Sequence, residues 1–191
     1  MASGPAARSL LLRKAEKYIL SHGLLDLTLT AVAEAIGSNR RMLLYHFASL
    51  DDLVREAVGD IISRRELTTR LAEILGGGGE LVARLDACWA HIADSGQESW
   101  HRLYFAQLGR AIEDPATFEA FLEQSRTRMT SLVADALIRE GVPRAEPVAR
   151  SVSALWSGLQ IALLSGASRA ELAEAHHRAA EGLLVNAARV G

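Results

Sequence analysis

The chain has 191 residues, of which 49% are apolar and 23% charged, and its formal net charge is −2. This length buries a core without staples, and the composition excludes a disordered chain and argues against a general polyanion binder. The single cysteine, Cys88, excludes a disulfide framework and a four-cysteine metal site.

No stretch reads as a signal peptide or a membrane span, so a cytoplasmic protein without membrane contact is expected. The charge is uneven. Residues 1–47 hold six basic residues (Arg8, Arg13, Lys14, Lys17, Arg40, Arg41) against three acids, whereas the remainder holds 15 basic and 20 acidic residues. Such a division suggests two tasks in one chain.

Apolar residues recur at three- and four-residue steps throughout, and strand-like alternation is absent, which predicts an all-α fold of about nine helices. The first stripe is Leu11, Ala15, Tyr18 and Ile19. Thr28 precedes a short helix over 29–36, and Gly37 and Asn39 introduce a second short helix. Ser49 with Asp52 approximates a capping box for a long helix over 50–75, which Gly76 to Gly79 closes as a flexible turn. Leu81, Leu85, Cys88, Trp89 and Ile92 form the next stripe. Asp114-Pro115 reads as an N-cap and first-turn proline, and Gly141 and Gly166 as helix stops. The last two helices are expected over 145–166 and 169–189, the latter behind a Ser168/Glu171 capping box.

Residues 28–47 carry the most information. Two short helices joined by a glycine-containing turn form a helix-turn-helix candidate. At about 100° per residue, Leu43, Phe47, Arg40 and Leu44 share one arc of the second helix, the side that packs on Val32, Ala33 and Ile36. Arg41, Met42, Tyr45 and His46 share the opposite arc. Arg41 suits guanine O6/N7, Met42 a thymine methyl, Tyr45 and His46 phosphates, and Arg40 a phosphate near the helix start. A solvated helix start would explain the same residues on an arbitrary helix; the turn, the cap and the neighbouring apolar pattern favour DNA reading. Thr28 and Asn39, at the two helix starts, complete the expected DNA-binding set with Arg40, Arg41, Met42, Tyr45 and His46.

These motifs resemble the N-terminal domain of the TetR family of transcriptional repressors. The likeness runs from about Arg8 to Val58 and includes Arg8-x-x-Leu11-Leu12-x-x-Ala15, Gly23, Thr28, Val32-Ala33-x-x-x-Gly37, Leu43-x-Tyr45-His46-Phe47 and Leu53. Ser38, Leu44 and Leu50 depart from the family pattern; Leu50 replaces a common phosphate-touching lysine, which implies weaker binding and a shallower salt dependence. The resemblance implies a three-helix DNA-binding domain over residues 1–49 and a helical ligand-binding and dimerisation domain over 50–191. It implies a homodimer on a palindromic double-stranded operator, released by an apolar or amphipathic small-molecule effector, with no cofactor, no metal and no catalysis. Arg8, Arg13, Lys14 and Lys17 would then add phosphate contacts or a minor-groove arm.

In the C-terminal part, Trp89, Trp100, Tyr104, Phe105, Phe121, Ser125, Trp156 and Gln160 combine aromatic walls with a few polar groups and are the expected ligand-binding residues. Each taken alone fits an ordinary core equally well or better. Val152, Leu155, Leu159, Leu163, His176 and Leu183 are the expected dimer interface, although burial within one subunit matches the pattern equally. Two alternatives remain: a helical small-molecule binder that does not dock on DNA, and a helical metal enzyme built around His176, His177 and Glu181. The second lacks paired Glu-x-x-His or His-Glu-x-x-His motifs.

Overall fold

The computed structural model describes residues 4–64 and 66–190. Among them are ten α-helices, one 3₁₀ turn and no strand. The helices are α1 (Pro5–His22), α2 (Leu29–Ala35), α3 (Arg40–His46), α4 (Leu50–Ser63), α5 (Glu66–Leu75), α6 (Leu81–Ile92), α7 (Glu98–Glu113), α8 (Glu119–Arg139), α9 (Ala145–Leu164) and α10 (Arg169–Val190). The single helix expected over 50–75 is two helices. The sequence supplies the reason: continuing the Val58/Ile61 stripe by helical steps would place Arg64 and Thr68 in the core, whereas the stripe restarts on Leu67, Leu71 and Leu75, all buried.

The described chain packs as two units, residues 4–64 with 99–110, and residues 66–98 with 111–190. The boundary expected after residue 49 therefore falls inside the first unit, between the Ser49 cap and the first residue of α4. In the first unit α1 packs on α2 and α4, and α2 on α3, around Leu12, Ala15, Ile19, Val32, Leu43, Phe47, Leu53 and Ala57. Glu16 of α1, buried, forms an ion pair with Arg64 at the end of α4. In the second unit α9 packs against α8 and α10, and α6 against α5 and α10.

Chain reversals in both units use the same local chemistry. After α2, Gly37 takes φ 68°, and Ser38 N donates to Ala33 O (2.8 Å) while Gly37 N donates to Glu34 O (3.1 Å). Gly141 and Gly166 close α8 and α9 with the same pair of bonds, each from a left-handed glycine. The Gly76–Gly79 turn is pinned: Arg84, buried in α6, donates to Leu75 O (2.8 Å) and Gly77 O (3.1 Å) and pairs with Glu140 (2.5 Å). One guanidinium thus satisfies carbonyls that the end of α5 leaves open. Asp114 accepts from Thr117 N (3.3 Å) and so caps a turn; α8 itself begins only at Glu119. Cys88 is buried against α5, its thiol pushed up to about 12 by desolvation, which makes it an inert core residue.

Candidate nucleic-acid interface and effector groove

The first unit holds a helix-turn-helix whose parts are fixed from several sides. Thr28 Oγ1 accepts from Ala31 N (3.1 Å) and Asn39 Oδ1 from Met42 N (2.9 Å), so both residues cap helices. Ser49 accepts from Asp52 N (3.0 Å), and Asp52 returns the favour by accepting from Ala48 N (3.2 Å). Leu43 and Phe47 of the second helix region are buried with Val32, Ala33 and Ile36 of the first. Lys14 Nζ donates to Ile36 O (3.1 Å) and ties α1 to the turn.

Arg8 is the main clamp. Its guanidinium makes a two-pronged pair with Glu56 of α4 (2.5 and 2.6 Å), donates from Nε to His46 O (3.2 Å), and lies over the Phe47 ring at 4.7 Å from the centroid. It joins α1, the end of α3 and α4. The phosphate role expected for Arg8 competes with this geometry: its fork is occupied by a carboxylate, and planar guanidinium–carboxylate pairing leaves less to offer an anion. Lys14 likewise spends a donor on the turn.

Sequence periodicity placed most of the outward face of α3 well. Arg41 is exposed, and so is Arg40, which the periodicity grouped with the inward arc; neither carries an ion pair among the described residues. Tyr45 is 72% exposed. Met42 and His46 are half-buried. The His46 ring is turned further inward than expected, with Nε2 buried and lacking a hydrogen-bond partner among the described residues. Leu44, grouped with the inward arc, is instead 43% exposed. The reason is angular: Leu43 and Phe47 stand one turn apart and fill the groove against α2, which leaves Leu44, one step further round, beyond its edge.

The expected ligand residues do not gather in one unit. Trp100, Tyr104 and Phe105 belong to the Ser99–Arg110 part of α7, which packs with the first unit; Trp100 and Tyr104 stack there at 5.3 Å. Trp89, Trp156 and Gln160 are buried in the second unit, where Phe121 and Ser125 are half-buried. The second unit also has an open groove of about 680 Å³ between α6 and α10, and of the expected set only Trp89 lines it. Alanines 90, 93, 170 and 173 form its walls, with Asp86 and His177 at one end and Asp94 and Arg169 at the other. Arg169 pairs with Glu98.

Behind this groove lies a polar chain that sequence reasoning missed. Trp156 Nε1 donates to His176 Nε2 (2.9 Å), His176 Nδ1 meets Asp86 Oδ1 (2.9 Å), and His177 Nδ1 meets Asp86 Oδ2 (2.7 Å). Burial lowers the His176 pKa from its ordinary 6.5 against the opposing pull of Asp86. The bond to Asp86 raises that of exposed His177. Only the adjacent histidines were visible in the sequence; Asp86 lies far away along the chain. His177 turns to Asp86 here, and the described residues include no cluster of three side chains able to hold a metal ion.

The expected dimer residues also divide. Val152, Leu163 and His176 are buried inside the subunit, which leaves them no surface for a partner, while Leu155, Leu159 and Leu183 are half-buried. The exposed side of α9 is the opposite one: it begins with the charged Glu146 and Arg150 and continues over the C-terminal half as Ala154, Ser157, Gly158 and Ile161, a stretch without charge. The more apolar side of α9 faces its own bundle, and the small-residue side is left outside. No helix among the described residues is long and apolar enough to cross a membrane.

No family model matches the sequence, and no curated protein matches it. Solved structures do. A transcriptional regulator from Rhodococcus sp. Rha1 superposes with a TM-score of 0.76 at 20% identity, covering 94% of this chain and 97% of that one. A TetR-family transcriptional regulator from Streptomyces coelicolor gives a TM-score of 0.72 at 19% identity, with 95% of each chain covered. The multidrug binding protein EbrR, solved with imidazole, gives 0.67 at 21% identity over 95% of this chain and 91% of that one. The chain has the all-helical fold of TetR-family transcriptional regulators along nearly its whole length.

Proposed function

We propose that this chain is a cytoplasmic, ligand-responsive transcriptional regulator that binds a palindromic operator as a homodimer. No catalytic step is part of this reading. The observation that carries it is the state of α3: a short helix capped by Asn39, backed by buried Leu43 and Phe47, clamped by Arg8, and presenting Arg40, Arg41, Leu44 and Tyr45 to solvent. A rigid back and a cationic, hydrogen-bonding front are what major-groove reading requires. Arg41 reads guanine, Leu44 and Met42 touch thymine methyls, and Arg40, Tyr45 and the half-buried His46 engage phosphates. Thr28 and Asn39 contribute mainly by fixing the two helix starts.

The dimer surface assigned here is the uncharged C-terminal half of the exposed side of α9, around Ala154, Gly158 and Ile161, continued by Val185 of α10 and flanked by Leu155, Leu159 and Leu183. Ile161 is 53% and Val185 44% exposed, and a solvent-facing helical stretch without charge, built from small residues, suits close packing on a second copy. The effector is an apolar or amphipathic small molecule taken by the second unit, in the α6–α10 groove beside Trp89. The multidrug-binding neighbour and the groove's alanine walls with polar ends support that class. Effector and operator are negatively coupled, typically by about 1–3 kcal/mol.

Selection of bound duplexes from a random DNA pool tests the reading. An inverted repeat with half-site centres about 34–36 Å apart is the expected product. A pool that shows no enrichment, or retention that ignores salt, would leave a helical small-molecule binder as the better description.

A further inference from the structure

The Trp156–His176–Asp86 chain has a property that neither DNA reading nor effector binding requires. An indole N–H only donates, and an ionised carboxylate only accepts. His176 stands between the two, fully buried, with Nε2 2.9 Å from Trp156 Nε1 and Nδ1 2.9 Å from Asp86 Oδ1. Both contacts are good only when the ring is neutral and its proton sits on Nδ1. A second proton has one place to go, Nε2, where it meets the indole N–H head-on. The tie to Asp86 survives that event and the tie to Trp156 does not.

We propose that His176 is a proton-operated latch joining three helices: neutral, it holds Trp156 of α9 to Asp86 of α6 across α10; protonated, it releases Trp156.

The groups around it fix the direction. From α6 the titratable neighbour is Asp86; from α10 it is His177; from α9 the facing group is the Trp156 indole, which does not titrate. The rings of Trp89 and Trp156 lie nearly parallel to the imidazole, at 5.9 and 6.4 Å between centroids, so the site is walled by aromatic carbon. Desolvation there disfavours the imidazolium more than Asp86 favours it, and the His176 pKa is lowered. The latch therefore stays closed at neutral pH and opens on acidification. His177 shares the same carboxylate but is exposed and shifted the other way, so Asp86 keeps a partner when the pH falls. Because α9 carries the dimer face proposed above, opening loosens the helix on which self-association depends; this consequence rests on that reading, whereas the latch itself does not.

The test is nitrogen NMR of the imidazoles in the full-length protein, followed together with the Trp156 indole proton. At about pH 7.5 the expected His176 signature is a neutral ring protonated on Nδ1; as the pH falls, Nε2 protonates below the ordinary histidine range and the Trp156 resonance moves in step. Trp156→Phe keeps the aromatic wall and removes the donor, so the His176 midpoint rises. His176→Gln retains an acceptor near the Nε2 position and cannot titrate, so the Trp156 resonance becomes independent of pH. A His176 midpoint at or above the ordinary value, or a Trp156 resonance that ignores it, overturns the latch; so does an unchanged midpoint in Trp156→Phe. If His176→Gln does not fold, the wild-type and Trp156→Phe titrations decide by themselves. Sedimentation at both ends of the titration separates the consequence from the latch: weaker self-association in acid supports the link to the dimer, and a monomer throughout refutes the dimer reading while the resonances still judge the latch.

Discussion

Arg8 and Arg41 carry the same guanidinium and are employed in opposite ways. Arg8 is held by a carboxylate, a backbone carbonyl and an aromatic face, while Arg41 stands in solvent on the outer side of α3. Replacing Arg41 with Ala is expected to weaken operator binding by about 1–3 kcal/mol in a fluorescence-anisotropy titration and to leave thermal unfolding unchanged. Replacing Arg8 with Ala is expected to lower the unfolding midpoint, because α1, α3 and α4 lose their common tie, while the salt dependence of DNA binding by the folded fraction keeps its slope. Arg8→Lys should not restore the midpoint, since an ammonium cannot reproduce the two-pronged pair with Glu56. A shallower salt slope in Arg8→Ala would return this residue to the phosphate-contacting set.

For the elements, stability comes from their ends. α2 and α3 are 7 residues each, too short to persist without caps and tertiary packing. Asn39→Ala removes the acceptor for Met42 N and should cost about 1 kcal/mol in chemical denaturation. Gly37→Ala should cost roughly 1–2 kcal/mol. A Cβ at position 37 would meet nothing within 4 Å, so that cost is entirely the left-handed backbone at φ 68°. An unchanged denaturation curve for Gly37→Ala would mean that the turn relaxes to another conformation. Along α9 the two faces differ in a way hydropathy misreads. The large apolar residues Val152, Trp156 and Leu163 fill the subunit's own bundle, while Ala154, Ser157, Gly158 and Ile161 remain outside. Ile161→Glu is accordingly expected to convert dimers to monomers in sedimentation with little effect on the folding of each chain. A dimer that survives this charge would move the interface off α9.

At the scale of the molecule, the two histidines are expected to tie stability to pH with opposite signs. A histidine whose pKa falls on folding, as His176 does, stabilises fully above 6.5 and loses that contribution as the pH drops below it, because the unfolded chain takes the proton first. His177, with its pKa raised by Asp86, contributes stability at low pH that disappears as the pH rises through its folded value. His177→Gln should therefore steepen the loss of thermal stability on acidification, and His176→Gln should flatten it. Equal slopes in the two variants would show that neither histidine governs the acid limb.

Much was legible before any fold: the all-helical class, the short helices on either side of Gly37, the caps at Thr28, Asn39 and Ser49, the glycine stops, and the exposure of Arg41 and Tyr45. All of these are local. Helical periodicity, cap chemistry and positive φ act within a few residues, so they leave marks that can be read without a fold. It took the packed fold to show which side of α9 turns inward, that Arg8 pairs with Glu56 over Phe47, that the chain breaks between α4 and α5 into separate helices, and that Asp86 meets His176 and His177. Those outcomes depend on contacts between residues distant along the chain, where competing partners of similar chemistry are separated only by how whole helices pack.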